Sequence, residues 1–214
     1  MNYWRLVVFV VAGVTSAAFG CQLFRLLKYR KVRPIITPRG RVNRAALYAL
    51  TRGLLPGEKE STRRHYLVYG AGLIYHSGIF GAFLWLASLV FSLSLPQVIR
   101  FFLAGIISAG AMSGLGLFGR RIFSSWLRSL SYPDDFVANL LVDSFLATAV
   151  ISLFRPLVVP LFLILSVLLI LYLPLGKIRH CVFFFPSRLI FGRYFGERGI
   201  LPPIKKRWKI FGGK

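Results

Sequence analysis

Cysteine is almost absent from this chain. Only Cys21 and Cys181 occur among its 214 residues. Two cysteines are too few for a disulfide scaffold, and they are also too few to bind an iron–sulfur cluster. Any cluster chemistry linked to this protein is therefore expected on another subunit. The sequence also has no glycine-rich phosphate loop, no nucleophile–base pair and no zinc-binding spacing, so no catalytic residue is predicted.

Acidic residues are the second scarcity. The chain has 6 Asp and Glu residues against 28 Lys and Arg residues, which gives a formal net charge of +22. In a soluble protein such an excess would favour nucleic-acid binding. Here 56% of the residues are hydrophobic and form long runs, with the cations confined between them. This distribution favours a lipid bilayer over a nucleic acid as the partner.

Apolar runs long enough to cross a bilayer, about 20 residues each, predict an all-α integral membrane protein with five transmembrane helices. The third run contains the small-residue series "AGIISAGAMSGLGLFG", which predicts close contact with another helix. A signal peptide is an alternative for the first run, but that run continues through "CQLF" into a basic cluster, which favours a retained helix. The predicted spans are approximately Tyr3–Leu27, Tyr66–Leu93, Gln97–Phe118, Asp135–Phe154 and Arg155–Ile178.

The cations predict the orientation of these spans. With five spans, 25 of the 28 Lys and Arg residues fall on one side of the membrane, and only Arg5, Arg100 and Arg155 fall on the other. Cytoplasmic loops carry the excess of Lys and Arg, so the amino terminus is predicted outside and the carboxyl terminus in the cytoplasm. The predicted organisation is a membrane domain, residues 1–185, with a basic cytoplasmic loop at 28–65, followed by a basic and aromatic cytoplasmic tail at 186–214.

Histidine is the main candidate for chemistry. His76 lies inside the apolar run "YLVYGAGLIYHSGIFGAFLWLASLVF", and His180 is expected at the cytoplasmic end of the fifth span. Ionisable side chains within a membrane are costly and commonly mark a function. Two imidazoles that face each other across a helix bundle can bind a b-type heme. Packing and interfacial roles for the two histidines stay open on the pattern alone. The small residues expected to admit a flat macrocycle are Gly70, Gly72, Ser77 and Gly78.

Other charged residues are candidates for supporting roles. Arg63, Arg64, Lys177 and Arg179 are expected near the heme propionates. His65 lies on the same helix face as His76, and it is open as a substitute ligand, as a propionate or proton contact, or as an interfacial residue. Asp143 is the only acid well inside a predicted span, and it is a candidate for proton relay or for pairing with a donor in the second or fifth span.

Three motifs carry a resemblance to known redox proteins. "LIYHSGIFGAF", "LPQVIRFFLAGIISAGAMSGLGLFGRRIFSSWLR" and "LPLGKIRHCVFFFPSRLIFGRYFGERG" resemble the gamma subunit of respiratory nitrate reductase. The last motif resembles more closely the cytochrome b subunits of heterodisulfide reductase and of sulfite-reduction-associated membrane complexes. The resemblance implies a multi-pass subunit of a prokaryotic inner membrane. Such a subunit exchanges electrons between the membrane quinone pool, with menaquinone expected, and a cytoplasmic iron–sulfur subunit that is heterodisulfide-reductase-like or ferredoxin-like.

The resemblance also implies site residues. In the nitrate reductase pattern two hemes are bound, and the ligands of the inner heme match His76 and His180. The helix-two ligand of the outer heme falls at Leu86, and the fifth span has no histidine before Lys177, so one heme b is predicted. Arg100 falls where that pattern has a lysine near the outer quinone site, and Arg100 and Asp143 are the quinone-site candidates.

Two further expectations complete the sequence-based interpretation. The alternative function is a small non-redox transporter or a lipid-binding scaffold, although no internal repeat and no broken helix is evident. The tail and the 28–65 loop are expected to form together the platform that docks the iron–sulfur subunit.

Overall fold

The structure is a computed structural model that describes residues 2–29, 37, 39–55, 58 and 65–202. The described residues are helical and contain no strand, which confirms the predicted all-α class for this part of the chain. Short 3-10 turns occur at Arg52–Leu54, Pro156–Val158 and Lys177–Arg179. The α-helices are α1 (Asn2–Tyr29), α2 (Val42–Leu50), α3 (Tyr66–Val90), α4 (Gln97–Phe123), α5 (Ser125–Ser129), α6 (Pro133–Ser152), α7 (Val159–Tyr172) and α8 (His180–Glu197).

Four helices, α1, α3, α4 and α6, are long and apolar enough to cross a membrane. The predicted fifth span is interrupted, because α7 has only 14 residues and ends at Tyr172. Helix α7 with its preceding turn, and the helical segment from Lys177 to Glu197, form a bent pair that passes the same test when taken as one span. The break contains Pro174, which has no amide hydrogen to donate to a continuing helix. The predicted fifth span, Arg155–Ile178, therefore counts as one span only if this bent pair is taken together.

The chain divides into two compact units. The first unit comprises Met1–Lys28 and His65–His180, and the second comprises Tyr29–Arg64 and Cys181–Lys214. In the first unit α6 packs against α3, α4 and α7. Phe145 of α6 and Phe162 of α7 are fully buried and stack with ring centroids 5.3 Å apart. Helix α6 therefore lies in the interior of the first unit.

Helices α3 and α4 meet through glycine. A methyl group added at Gly78 would come within 2.7 Å of the Cα atom of Gly110, so the two backbones touch at this crossing. Small residues allow such close approach, and in lipid this packing is a main source of helix association. The helix contact predicted from the small residues of the third span is confirmed at Gly110.

Polar contacts join α1 to the segment around α7. The Thr15 hydroxyl donates to the carbonyl oxygen of Ile170 at 3.0 Å. The Gln22 side-chain amide donates to the carbonyl oxygen of Pro174, also at 3.0 Å. That second bond satisfies a carbonyl at the helix break, where no intrahelical donor follows.

The second unit combines the basic loop with the segment after His180. Here α2 packs against α8, and a methyl group added at Gly192 would come within 2.7 Å of the Cα atom of Ala46. The backbone amide of Arg39 also donates to the carbonyl oxygen of Glu197 at 2.8 Å. The two segments expected to form a docking platform therefore belong to one unit. The predicted domain boundary at residue 185 falls within α8.

Candidate functional site

The structure brings His76 and His180 together in the first unit. His76 lies in α3, and His180 is the first residue of α8, directly after the Lys177–Arg179 turn. The centroids of the two imidazole rings are 6.3 Å apart, and the ring planes form an angle of 74°. Two residues separated by more than a hundred positions in the sequence thus face each other at close range.

A hydrogen bond at Nδ1 of each imidazole ring determines which ring nitrogen carries the hydrogen. The Nδ1 atom of His76 lies 2.7 Å from the carbonyl oxygen of Gly72, and the Nδ1 atom of His180 lies 2.8 Å from the carbonyl oxygen of Lys177. A carbonyl oxygen only accepts, so in each neutral ring Nδ1 carries the hydrogen and Nε2 holds the lone pair. Metal-binding histidines commonly have this arrangement, because the second hydrogen bond orients the ring.

The distance between the rings suits coordination of one metal ion by both. A metal–imidazole bond is about 2 Å long, and the ring centroid lies ~1.1 Å beyond the nitrogen, so two imidazoles on opposite sides of one ion have centroids about 6 Å apart. The observed distance is 6.3 Å. The distance between the two ring centroids is therefore compatible with coordination of one metal ion by both imidazoles.

A cavity of about 630 Å³ adjoins the two histidines. This volume lies in the range of about 300–1,000 Å³ that is usual for small-molecule and cofactor sites. Three cations and one carboxylate line the cavity, namely Arg120, Arg121, Lys177 and Asp135. The other lining residues are Val68, Gly72, Tyr75, His76, Leu117, Leu127, Leu130, Ser131, Ala138, Asn139, Ile178 and His180.

Two aspartates hold the turn that precedes His180. The Asp135 carboxylate accepts from Arg121 at 3.0 Å and from the Lys177 ammonium at 2.6 Å. The neighbouring Asp134 accepts from the Lys177 backbone amide at 2.7 Å and from the Tyr172 hydroxyl. The first turn of α6 thereby anchors the segment that delivers His180 to the cavity.

The predicted propionate contacts are only partly found at the cavity. Lys177 lines it, whereas Arg179 and His65 are exposed and do not. Arg63 and Arg64 lie outside the described residues. Among the small residues, Gly72 lines the cavity and Gly78 instead contacts Gly110. The Ser77 hydroxyl donates to the Leu73 carbonyl oxygen at 3.0 Å. At Gly70 no atom of another described part of the chain lies within 4 Å of an added methyl group.

Sequence reasoning missed two cations of this cavity. In the sequence Arg120 and Arg121 are only two of the 25 cations on the predicted cytoplasmic side, whereas in the structure they lie in the last turn of α4 and line the same cavity as the histidine pair. Arg121 is paired with Asp135, whereas Arg120 has no ion-pair partner within the described part of the chain. Their predicted depth in the membrane could have indicated this position, because the "GRR" run and Lys177 are both expected at the cytoplasmic ends of their spans.

The two quinone-site candidates lie apart from this cavity's lining. The Arg100 guanidinium lies 5.9 Å from the ring centroid of Trp85 and 5.8 Å from that of Phe154. Its Nε atom is buried and has no hydrogen-bond partner among residues 2–29, 37, 39–55, 58 and 65–202. Asp143 is buried in α6. Leu86, at the position of an outer-heme ligand in the nitrate reductase pattern, is buried in the apolar core. One heme per chain stays a prediction.

The fold and the site define a class of protein but no family. The described part of the chain is all-helical, with four helices, or five if the bent pair is one span, that are suited to crossing a membrane. It matches no protein-family model, no curated protein and no solved structure. No cluster of three or more His, Cys, Asp or Glu side chains able to hold a metal ion occurs among the described residues, whereas a pair of axial imidazoles needs only two side chains. The resemblance to the nitrate reductase gamma subunit stays a prediction.

Proposed function

We propose that this protein is a heme b membrane subunit that passes electrons between a membrane quinone and a cytoplasmic iron–sulfur subunit. The observation that carries the proposal is the His76–His180 pair, whose ring centroids lie 6.3 Å apart and whose Nδ1 atoms each contact a backbone carbonyl oxygen, which leaves Nε2 as the lone-pair nitrogen of each neutral ring. A subunit with this role needs no catalytic residues of its own, because the substrate chemistry would take place on the partner subunit.

The residues around the cavity fit a heme group. His76 and His180 would supply the axial nitrogens, and the carbonyl oxygens of Gly72 and Lys177 hold their rings in the required tautomer. The cations Arg120, Arg121 and Lys177 would receive the propionates. The heme iron, when bound, supplies a one-electron ferric/ferrous couple whose potential depends on the axial ligands and on burial.

The second unit supports a docking role for the iron–sulfur partner. Helix α2 comes from the basic loop and α8 includes much of the aromatic and basic tail, and the two pack together. Arg188 and Arg193 lie on α8, where guanidinium groups suit contact with acidic protein surfaces. With the orientation inferred from the cations, this unit faces the cytoplasm of a prokaryotic cell, where a soluble electron carrier is available.

A reduced-minus-oxidised visible spectrum of the purified protein tests the proposal. We expect a b-type alpha band and, by pyridine hemochrome assay, one heme per chain. His76→Ala and His180→Ala should each abolish the band, because each removes one axial nitrogen, whereas His65→Ala is the matched control and should retain it, since His65 does not line the cavity. Absence of the band in the wild-type protein, or its retention in both ligand variants, would contradict the proposal.

One observation favours the non-redox alternative. The interruption of the fifth span at residues 173–176 resembles the discontinuous helices that form binding sites in some transporters. The chain lacks the internal repeat that accompanies such helices in many transporter folds. Purified protein without heme that nonetheless supports solute flux in proteoliposomes would favour the transporter over the electron-transfer subunit.

A further inference from the structure

We infer that Asp143 is a proton-binding site that takes up one proton when the heme centre is reduced, a role that rests on the proposed function. Asp143 is only 6% exposed, and neither of its carboxyl oxygens forms a hydrogen bond with another group among the described residues. Its helix, α6, packs against α3, α4 and α7. An unpaired carboxyl group in the interior of a helix bundle is unusual, because buried polar groups are nearly always hydrogen-bonded.

Tyr75 connects Asp143 with the cavity. A methyl group added at Gly114 would overlap both the Asp143 carboxyl oxygen and the Tyr75 ring, so these two side chains meet over the bare backbone of α4. The Tyr75 hydroxyl is likewise buried and forms no hydrogen bond within the part of the chain that the structure describes. Tyr75 also lines the cavity, and its ring centroid lies 6.2 Å from that of His76. One side chain therefore borders both Asp143 and the proposed redox centre.

The charge balance around Asp143 makes proton uptake the favoured response. A carboxylate without a cation is costly in a low-dielectric interior, so one additional negative charge on the nearby centre favours the protonated form of the carboxyl group. No cation is in contact with it among the described residues. Arg121 is paired with Asp135, Tyr172 contacts Asp134, and Arg100 lies over two aromatic rings. The titratable and charged groups on the three helices that pack against α6 are Tyr66, Tyr69, Tyr75 and His76 of α3, Arg100, Arg120 and Arg121 of α4, and Tyr172 of α7.

The coupled step balances in charge. A quinol loses one electron and one proton when it reduces such a centre, and the electron would give a heme held by His76 and His180 one additional negative charge. The Asp143 carboxylate then binds one proton and becomes a neutral acid, which cancels that charge. The Tyr75 hydroxyl passes the proton by accepting one and donating another, so it does not itself change charge. When the iron–sulfur partner oxidises the centre, the proton leaves by the reverse path.

Infrared spectroscopy tests the proton site directly. The chain has only three aspartates, Asp134, Asp135 and Asp143, and the first two are hydrogen-bonded or ion-paired. We expect a protonated-carboxyl band in the reduced-minus-oxidised spectrum that shifts on ¹³C labelling of aspartate and disappears in Asp143→Asn. Ser144→Ala, next to it on α6, is the matched control and should keep the band. A labelled wild-type spectrum without such a band would overturn the inference, even if Asp143→Asn failed to fold.

The midpoint potential provides the second measurement. If one proton accompanies one electron, the midpoint potential falls as the pH rises. The slope is at most about 59 mV per pH unit, because one pH unit is a tenfold change in proton concentration and a tenfold change in an equilibrium constant corresponds to about 59 mV for a one-electron couple. Asp143→Asn should lower this slope by more than half, and Tyr75→Phe should slow proton exchange while leaving the slope unchanged. An unchanged slope in Asp143→Asn would overturn the coupling. If the protein binds no heme, the proposed function fails, while a pH titration of the labelled carboxyl band in the same protein still tests Asp143.

Discussion

Replacement of Asp135 by Asn tests how firmly the fold holds the turn before His180. The Asp135 side chain is 5% exposed, while its partners Arg121 and Lys177 are 31% and 60% exposed. Asp135 also accepts from the backbone amide of Tyr132 at 3.0 Å, a contact that Asn can retain. The substitution therefore removes the charge and leaves the cap of α6 in place.

The burial of the three groups sets the size of the effect. Removing one partner of a fully buried ion pair costs about 3–5 kcal/mol. Exposed pairs contribute only about 0.2–1 kcal/mol. With a buried acceptor and partly exposed donors, we expect an intermediate loss of about 2 kcal/mol, and at 2–4 °C per kcal/mol for a chain of this length the thermal midpoint should fall by roughly 4–8 °C. If the whole loss acts on His180, heme affinity falls by a factor of about 30.

A double-mutant cycle in detergent micelles isolates the ion pair. Thermal midpoints and heme affinity are measured for Asp135→Asn, Lys177→Met and the double variant. The two residues are in direct contact, so we expect a coupling energy of about 0.5–2 kcal/mol, with the double variant less destabilised than the sum of the single variants. Asp134 stays unchanged in all three variants and keeps its bond to the Lys177 amide.

Two results would contradict a positioning role for the Asp135–Lys177 ion pair. If Asp135→Asn changes neither the midpoint nor heme affinity, or if the effects of the two single variants simply add, the pair does not position His180. In that case the remaining bonds from Asp134 to Tyr172 and to the Lys177 amide would be sufficient to hold the turn.

Two further predictions concern packing and docking. Gly78→Ala should lower the thermal midpoint through an overpacking cost of about 1–3 kcal/mol, because the added methyl group meets the α4 backbone, whereas Gly70→Ala, with nothing within 4 Å, is the matched control and should be neutral or slightly stabilising. Equal midpoints for the two variants would contradict the close contact. Truncation after Phe185 removes the part of α8 that packs against α2. The truncated protein should keep its heme spectrum, but it should no longer co-purify with the iron–sulfur partner or support quinol-linked turnover. Native complex formation and turnover by the truncated protein would refute the docking role.

The helices themselves were largely predictable from the sequence. A hydrocarbon core requires uninterrupted apolar runs of about 20 residues, and every backbone polar group in that core must be bonded within the protein, so such runs become helices. This reasoning located α1, α3, α4 and α6. It failed at residues 173–176, because a window of high average hydropathy does not show that Pro174 and the carbonyl bond from Gln22 favour a break there.

The sequence by itself determined which residue types were available for chemistry. It showed one histidine deep in an apolar run, a second at a span end and only one acid well inside a span, because the cost of polar groups in lipid leaves few of them there. Only the tertiary structure decided that His76 faces His180, that Arg120 and Arg121 border the same cavity, and that Asp143 meets Tyr75 over Gly114. The physical reason is that helix rotation and depth are fixed by close packing among several helices at once, and residues far apart in sequence, such as Gly78 and Gly110, set that packing together.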